Sequence, residues 1–187
     1  MISPQLASTA SVFDVNGLMS SNEWAAEEKF DGDRFLLVWE GQKVSAFSRK
    51  GTELVVPTNM DFSAPDSVVR WKLKVVLDGE LMSDGRYMIF DLLELGANKL
   101  YGNPYFQRRE TLEALIPLFD KPQFHVVESA TGEVNKENLL DSVMANKGEG
   151  VIFKDISSRY VPGTRSKEWV KYKLYKTCSC FISDMNR

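Results

Sequence analysis

Lys29 sits in Glu27-Glu-Lys29-Phe-Asp31-Gly32-Asp-Arg34, where one strand gives way to the next. A lysine amine attacks phosphorus or carbon only when neutral, so a nucleophile here needs desolvation or nearby cations to shed its proton. The same four-residue pattern, K-x-D-G, is also ordinary turn chemistry and alone does not separate a nucleophile from a charged bend. Three further stretches carry residues of related use. Glu80 ends the run Leu77-Asp-Gly-Glu80, Phe90 lies in Ile89-Phe90-Asp, and Glu149 opens Glu149-Gly-Val-Ile152-Phe-Lys154. Tyr160-Val-Pro-Gly-Thr-Arg165-Ser-Lys167-Glu-Trp169-Val-Lys171-Tyr-Lys173 closes the series, and period-two alternation puts Lys171 and Lys173 on one face of a strand. Carboxylates, an aromatic ring and paired lysines at such positions are candidates for a site. Each also has a structural reading. Phe90 and Ile152 suit a plain core, Glu80 a surface carboxylate after a turn, and alternating lysines a solvated face.

The elements that must hold these residues read as follows. Phe35–Trp39 and Lys43–Ser48 are strands around the turn 40–43, and Lys74–Met82 with Arg86–Leu93 form a hairpin about Ser83-Asp84-Gly85. Leu112, Leu115, Ile116 and Phe119 recur at helical spacing within 105–119. A second helix over 136–147 buries Leu139, Leu140, Val143 and Met144 and ends at Gly148. Strands follow at 149–155, 168–174 and 177–183. Hairpins with interspersed helices predict an α+β domain of mostly antiparallel sheet.

The 187 residues, 43% hydrophobic and 26% charged, suit a folded domain rather than a disordered chain. The formal charge of −3 argues against a nucleic-acid partner until its distribution is seen: from Lys154 to Lys176 the balance is +5, and the remainder is −8. No apolar run is long enough to span a membrane, and the start lacks signal-peptide character, so a cytoplasmic location is expected. Cys178 and Cys180 with the single His125 cannot furnish a four-ligand zinc site, and His125 reads as a core or edge residue. Neither glycine-rich phosphate loop is present.

Taken in order, the lysine motif, the Arg49 region, Asp78-Gly-Glu80, Phe90-Asp, Glu149-Gly and the double-lysine strand resemble the nucleotidyltransferase (adenylation) domain of ATP-dependent DNA ligases. The resemblance spans about residues 24–180, and a single such domain over 1–187 is expected. It implies that Lys29 forms a lysyl-AMP from ATP, that AMP passes to the 5′-phosphate of a nick in double-stranded DNA, and that the 3′-hydroxyl then seals it. By the same resemblance Glu27, Arg34, Arg49, Glu80, Phe90, Ile152, Lys171 and Lys173 contact ATP or AMP, with Phe90 and Ile152 on the two faces of the base. Glu80 and Glu149 engage Mg²⁺ or another divalent cation. Arg34, Arg49, Arg165 and Lys167 are the candidates for DNA contact, Trp169 anchors the loop carrying Arg165, and Arg108-Arg109 is structural or DNA-facing. Ligases of this type add an OB-fold module, for which these 187 residues leave no room, so that module is expected in cis or trans beside a monomeric core. Alternative readings are an RNA ligase or GTP-using capping-type enzyme, and a non-catalytic module of the same fold that binds DNA or a partner.

Overall fold

The computed structural model describes residues 3–174; the expected strand at 177–183 and both cysteines lie outside them. The strands are β1 (Leu6–Thr9), β2 (Trp24–Glu28), β3 (Asp33–Glu40), β4 (Lys43–Phe47), β5 (Glu53–Leu54), β6 (Lys74–Leu81), β7 (Tyr87–Leu95), β8 (Asn98–Lys99), β9 (Phe124–Val126), β10 (Ser129–Ala130), β11 (Gly150–Asp155) and β12 (Arg165–Lys173). The helices are α1 (Val12–Ser20), α2 (Asp66–Arg70), α3 (Tyr105–Leu115) and α4 (Glu133–Ala145). One sheet runs β1-β12-β11-β2-β10, and the other β5-β4-β3-β6-β7-β8 with β9 added beside β7. Pairing is antiparallel except for β1 on β12 and β9 on β7, so the α+β, mainly antiparallel expectation holds.

Alternation along the strands divides the apolar residues among three cores. Phe35, Leu37, Trp39, Val75, Leu77, Tyr87 and Ile89 point to the outer face of the larger sheet, where Leu112, Ile116 and Phe119 cover them. Ala26, Val151 and Phe153 of the smaller sheet are covered by Val15 and Met19 of α1 and by Leu139 and Val143 of α4. The facing sides of the two sheets meet through Leu36, Val76, Leu93, Tyr160 and Trp169.

Local departures have local causes. α3 gives way to a 3₁₀ turn at Ile116–Phe119, where Pro117 cannot donate an α-helical bond. α4 starts three residues before the expected Lys136, and Met144 is exposed rather than buried. The left-handed residue just beyond its end is Lys147, at φ 56°. Gly148 instead serves close packing, since a Cβ there would stand 2.7 Å from Val143 Cγ1. In the β6–β7 hairpin, Gly85 at φ 92° supplies the expected positive φ. α1 is nine residues long and α2 five, and neither is among the elements expected from the sequence.

Candidate active site

The motif residues converge because register places them on one face. Glu27 pairs with Ile152 and Ile152 with Lys171; Ala25 pairs with Lys154 and Lys154 with Trp169. The Lys29 amide continues the ladder with a 2.8 Å bond to the Gly150 carbonyl, and Gly150 pairs with Lys173. Three transverse rows result, spanning roughly 13 Å along the strands. The first carries Lys29 and Lys173, the second Glu27, Ile152 and Lys171, and the third Lys154 and Trp169. Opposite them Arg34 of β3 pairs with Glu80 of β6, with Phe90 of β7 nearby.

Between the sheets lies a cavity of about 580 Å³, lined among others by Lys29, Arg34, Arg49, Glu80, Phe90 and Lys171. Glu27, Ile152, Lys154 and Trp169 also line it. Two glycines permit this closeness, and neither works as a turn residue. A Cβ on Gly32 would stand 2.5 Å from the Leu81 carbonyl, and one on Gly79 2.5 Å from the Tyr87 ring. Asp78-Gly79-Glu80 is accordingly interior strand, not the turn that its Asp-Gly composition suggests.

The ionised groups form three sets. At the first row Glu149 accepts hydrogen bonds from Lys29 and, at 2.7 Å, from Lys173. Burial works to raise the Glu149 pKa, but those two ammonium groups outweigh it and hold the carboxyl below its ordinary range. Lys171 is lowered by desolvation and by the field of Arg165, Lys173, Arg49 and Lys29, which marks a concentrated cationic region. Glu80 is raised to about 7, chiefly by burial, with Arg34 and Lys29 opposing. That is a strongly displaced acid in a cleft, of the kind functional sites concentrate.

The second set lies beneath the cleft. Glu27 is almost wholly buried, and Lys154 bonds its carboxylate at 2.6 Å, as does the Tyr105 hydroxyl. Lys154, with no exposed surface, also donates to the Phe90 carbonyl at 3.1 Å and faces the Trp169 ring at 4.3 Å. Burial pushes the Lys154 amine down, against the pull of Glu27.

In the third set Arg34 makes two 2.6 Å bonds to Asp78, and its guanidinium lies 4.5 Å from the Phe90 ring centre. Burial disfavours the Arg34 charge, but Asp78 more than offsets this and raises its pKa.

The structure thus gathers Lys29, Glu27, Arg34, Arg49, Glu80, Phe90, Ile152 and Lys171 around one cavity, with Lys173 and Glu149 joined to Lys29 beside it. Arg165 is exposed at the start of β12, donating to the Ala7 carbonyl at 2.5 Å. Lys167 is exposed on the same strand and is not among the cavity-lining residues. Trp169 lies inside β12, packed edge-on against Phe90 and Tyr160, with no hydrogen-bond partner for its indole nitrogen among the described residues. It is a wall of the cleft. Arg108 is buried in a bidentate pair with Asp91 at 2.8 and 2.9 Å, which makes it structural. Arg109 pairs with Glu113 at 2.6 Å and lies 3.7 Å from Glu27. His125 is exposed on β9. Sequence reasoning passed over Asp78, Tyr105 and Lys154, whose partners lie far along the chain, and over Leu6 and Ala7, which also line the cavity.

The chain is similar to known proteins in sequence and in fold. A family model described as the ATP-dependent DNA ligase domain matches residues 4–86 and 83–173. A DNA ligase of Methanocorpusculum labreanum is 28% identical over an alignment covering 92% of this chain and 35% of that protein. The chain therefore spans about a third of that relative's length. The crystal structure of the ligase domain from M. tuberculosis LigD is similar with a TM-score of 0.70 and 29% identity, covering 92% of this chain and 59% of that one. A mycobacterial DNA ligase D complexed with ATP and MES gives a TM-score of 0.70 at 28% identity, covering 94% and 61%.

Proposed function

The chain belongs to the family of ATP-dependent DNA ligase domains, and on that footing we propose that it is an adenylation core in which Lys29 is the nucleophile. The observation that carries the reading is the polarity of the cleft. Lys29, Glu149 and Lys173 gather at the first row with Lys171 in the row beside it, while Ile152 of that second row, Phe90 and Trp169 add apolar and aromatic surface. A nucleotide has the same polarity, a phosphate chain at one end and a flat base at the other.

In the proposed first step Nζ of Lys29 attacks the α-phosphorus of ATP. A P–N bond forms, the P–O bond to pyrophosphate breaks, and the ammonium proton goes to solvent. Lys29 is here ion-paired with Glu149, so it must leave that pair and lose its proton before attacking. Lys171, with Arg49 and Lys173, supplies positive charge for the α-phosphate as its negative charge grows. A 5′-phosphate oxygen at a DNA nick then attacks the AMP phosphorus, the P–N bond breaks and the Lys29 amine leaves; the 3′-hydroxyl next attacks the 5′-phosphorus, losing its proton to solvent as AMP leaves. Arg34, Glu27 and Glu80 would hold the nucleoside, and Arg165, Lys167 and Arg49 the DNA backbone.

The residues also suit Mg²⁺. Glu149 and Glu80 offer carboxylate oxygens, and no group of three or more His, Cys, Asp or Glu among the described residues forms a self-sufficient cage. Such a site fits a cation that keeps water and shares substrate phosphates, and the ion would neutralise phosphate charge there.

Intact-mass spectrometry after incubation with ATP and Mg²⁺ tests the reading. One AMP adduct is expected on the protein and none on Lys29→Ala. An adduct that survives the substitution, or none on the parent chain, overturns it. Adduct formation from GTP but not ATP would instead favour the capping-type alternative.

A further inference from the structure

We infer that the amino-terminal segment Ser3–Ala7 is a clasp that positions Arg34 in the cleft, with Gln5 and Tyr160 as its positioning residues. This rests on the nucleotide-binding reading of Arg34 given above.

Arg34 is held in a closed network rather than by one partner. Asp78 takes two of its hydrogen bonds, and the Gln5 carbonyl accepts another from Nη2 at 3.2 Å. The Tyr160 hydroxyl donates to Asp78 at 2.7 Å and accepts from the Gln5 amide at 2.8 Å. The ring of contacts runs Arg34, Asp78, Tyr160, Gln5 and back to Arg34. Gln5 and Asp78 have no exposed surface and Tyr160 is 2% exposed, so water cannot substitute for a missing member without rearrangement.

The same segment grips the chain leading into β12. Gln5 Oε1 accepts from the Val161 amide, the Ser3 carbonyl from Gly163 at 2.9 Å, and the Thr164 carbonyl from Leu6 at 2.8 Å. Arg165 donates to Ala7, and Leu6 and Ala7 themselves line the cavity. A segment some two dozen residues before Lys29 thus ties the arginine of one sheet to the loop that feeds Lys171 on the other.

The Gln5 side chain separates positioning from stability. Its Nε2 is buried with no partner among the described residues, so the amide brings an unsatisfied donor along with its one useful acceptor. Gln5→Leu removes both, and the lost bond to Val161 is set against relief of the orphan donor. Stability should therefore change little while the grip on Val161 is lost. Tyr160→Phe removes the hydroxyl from the ring at a second, independent point.

Two readouts are taken on Gln5→Leu and Tyr160→Phe: the ATP dependence of AMP-adduct formation, and water exchange of the Arg34 Nε–H proton by NMR. The expected result is an apparent KM for ATP raised by about 5- to 10-fold, the scale of one weakened hydrogen bond to a charged group, with the rate at saturating ATP nearly kept. Arg34 Nε–H exchange should quicken in both variants. In an Arg34→Ala background Tyr160→Phe should add no further rise in KM. Wild-type exchange and KM in folded Gln5→Leu and Tyr160→Phe would overturn the clasp, as would a rise in KM that persists without Arg34. If the parent chain forms no adduct, the ligase reading fails, and the NMR exchange alone decides whether the clasp positions Arg34.

Discussion

Glu80 and Lys154 show how far a single residue's environment can move its chemistry. Glu80 lies in β6 opposite Arg34, and burial lifts its pKa to about 7 from the ordinary value near 4.5. Between those two pH values the unfolded chain ionises and the folded one does not, so stability from this group is full below about 4.5 and lost as pH rises through about 7. Glu80→Gln should thus melt roughly 2–4 °C above the parent at pH 8 and level with it at pH 4.5, as followed by thermal denaturation. An equal offset at both pH values would show that the folded carboxyl titrates normally. Lys154 poses the opposite case, a buried cation whose partner Glu27 is itself buried. Lys154→Met leaves that carboxylate with Tyr105 alone at hydrogen-bond distance and should cost about 3–5 kcal/mol in urea unfolding. Adding Glu27→Gln should restore most of the loss. If the double variant is as unstable as the two losses added, the pair is not the source.

At the scale of elements, the strands were readable where alternation or a turn signal was strong. β3, β4, the β6–β7 hairpin and β11 fall within a residue or two of expectation, because Asp84-Gly85 and the apolar runs leave few alternatives. α1 was not readable, because its stability depends on partners remote in sequence. Lys136 of α4 is buried and donates to the carbonyls of Leu18 and Ser21 at 2.7 and 2.6 Å, capping the end of α1 with a side chain over a hundred residues away. The motif glycines were legible as glycines but not in their role. Turn chemistry was the local reading, whereas the contacts that exclude a side chain come from Leu81 and from Tyr87 on the neighbouring strand. Gly79→Ala should therefore destabilise by at least the ~1–3 kcal/mol typical of overpacking, since Tyr87 is itself pinned by bonds to the Phe35 and Leu77 carbonyls. A denaturant midpoint unchanged by this substitution would mean that Tyr87 moves aside freely.

Over the whole molecule, a formal charge of −3 describes neither the cleft nor its surroundings. The sequence located the positive surplus in one segment, but only the sheet pairing shows that Lys171 of that segment shares a field with Lys29, Arg49, Lys173 and Arg165. Those residues come from the end of β2, the turn after β4 and both ends of β12, and no local pattern links them. The acidic partners at the cleft were in plain view as motif letters, yet the pairing of Glu149 with two lysines and of Glu27 with Lys154 depends on tertiary contact. Because Lys29, Arg49 and Lys171 share one field in a cavity that Ile152, Phe90 and Trp169 also line, the two parts of a nucleotide should contribute separately to binding. ATP at a concentration far above its Kd should raise the melting temperature through mass action, and adenosine at equal concentration should raise it less. The gap between them is electrostatic in origin, so it should narrow as salt is raised from low ionic strength to about 0.5 M, where screening shortens to a few ångströms. Lys171→Ala should shrink the same gap at low salt while leaving the adenosine shift in place. Equal shifts from adenosine and ATP, or a gap indifferent to salt and to Lys171, would show that the cationic cluster does not meet phosphate.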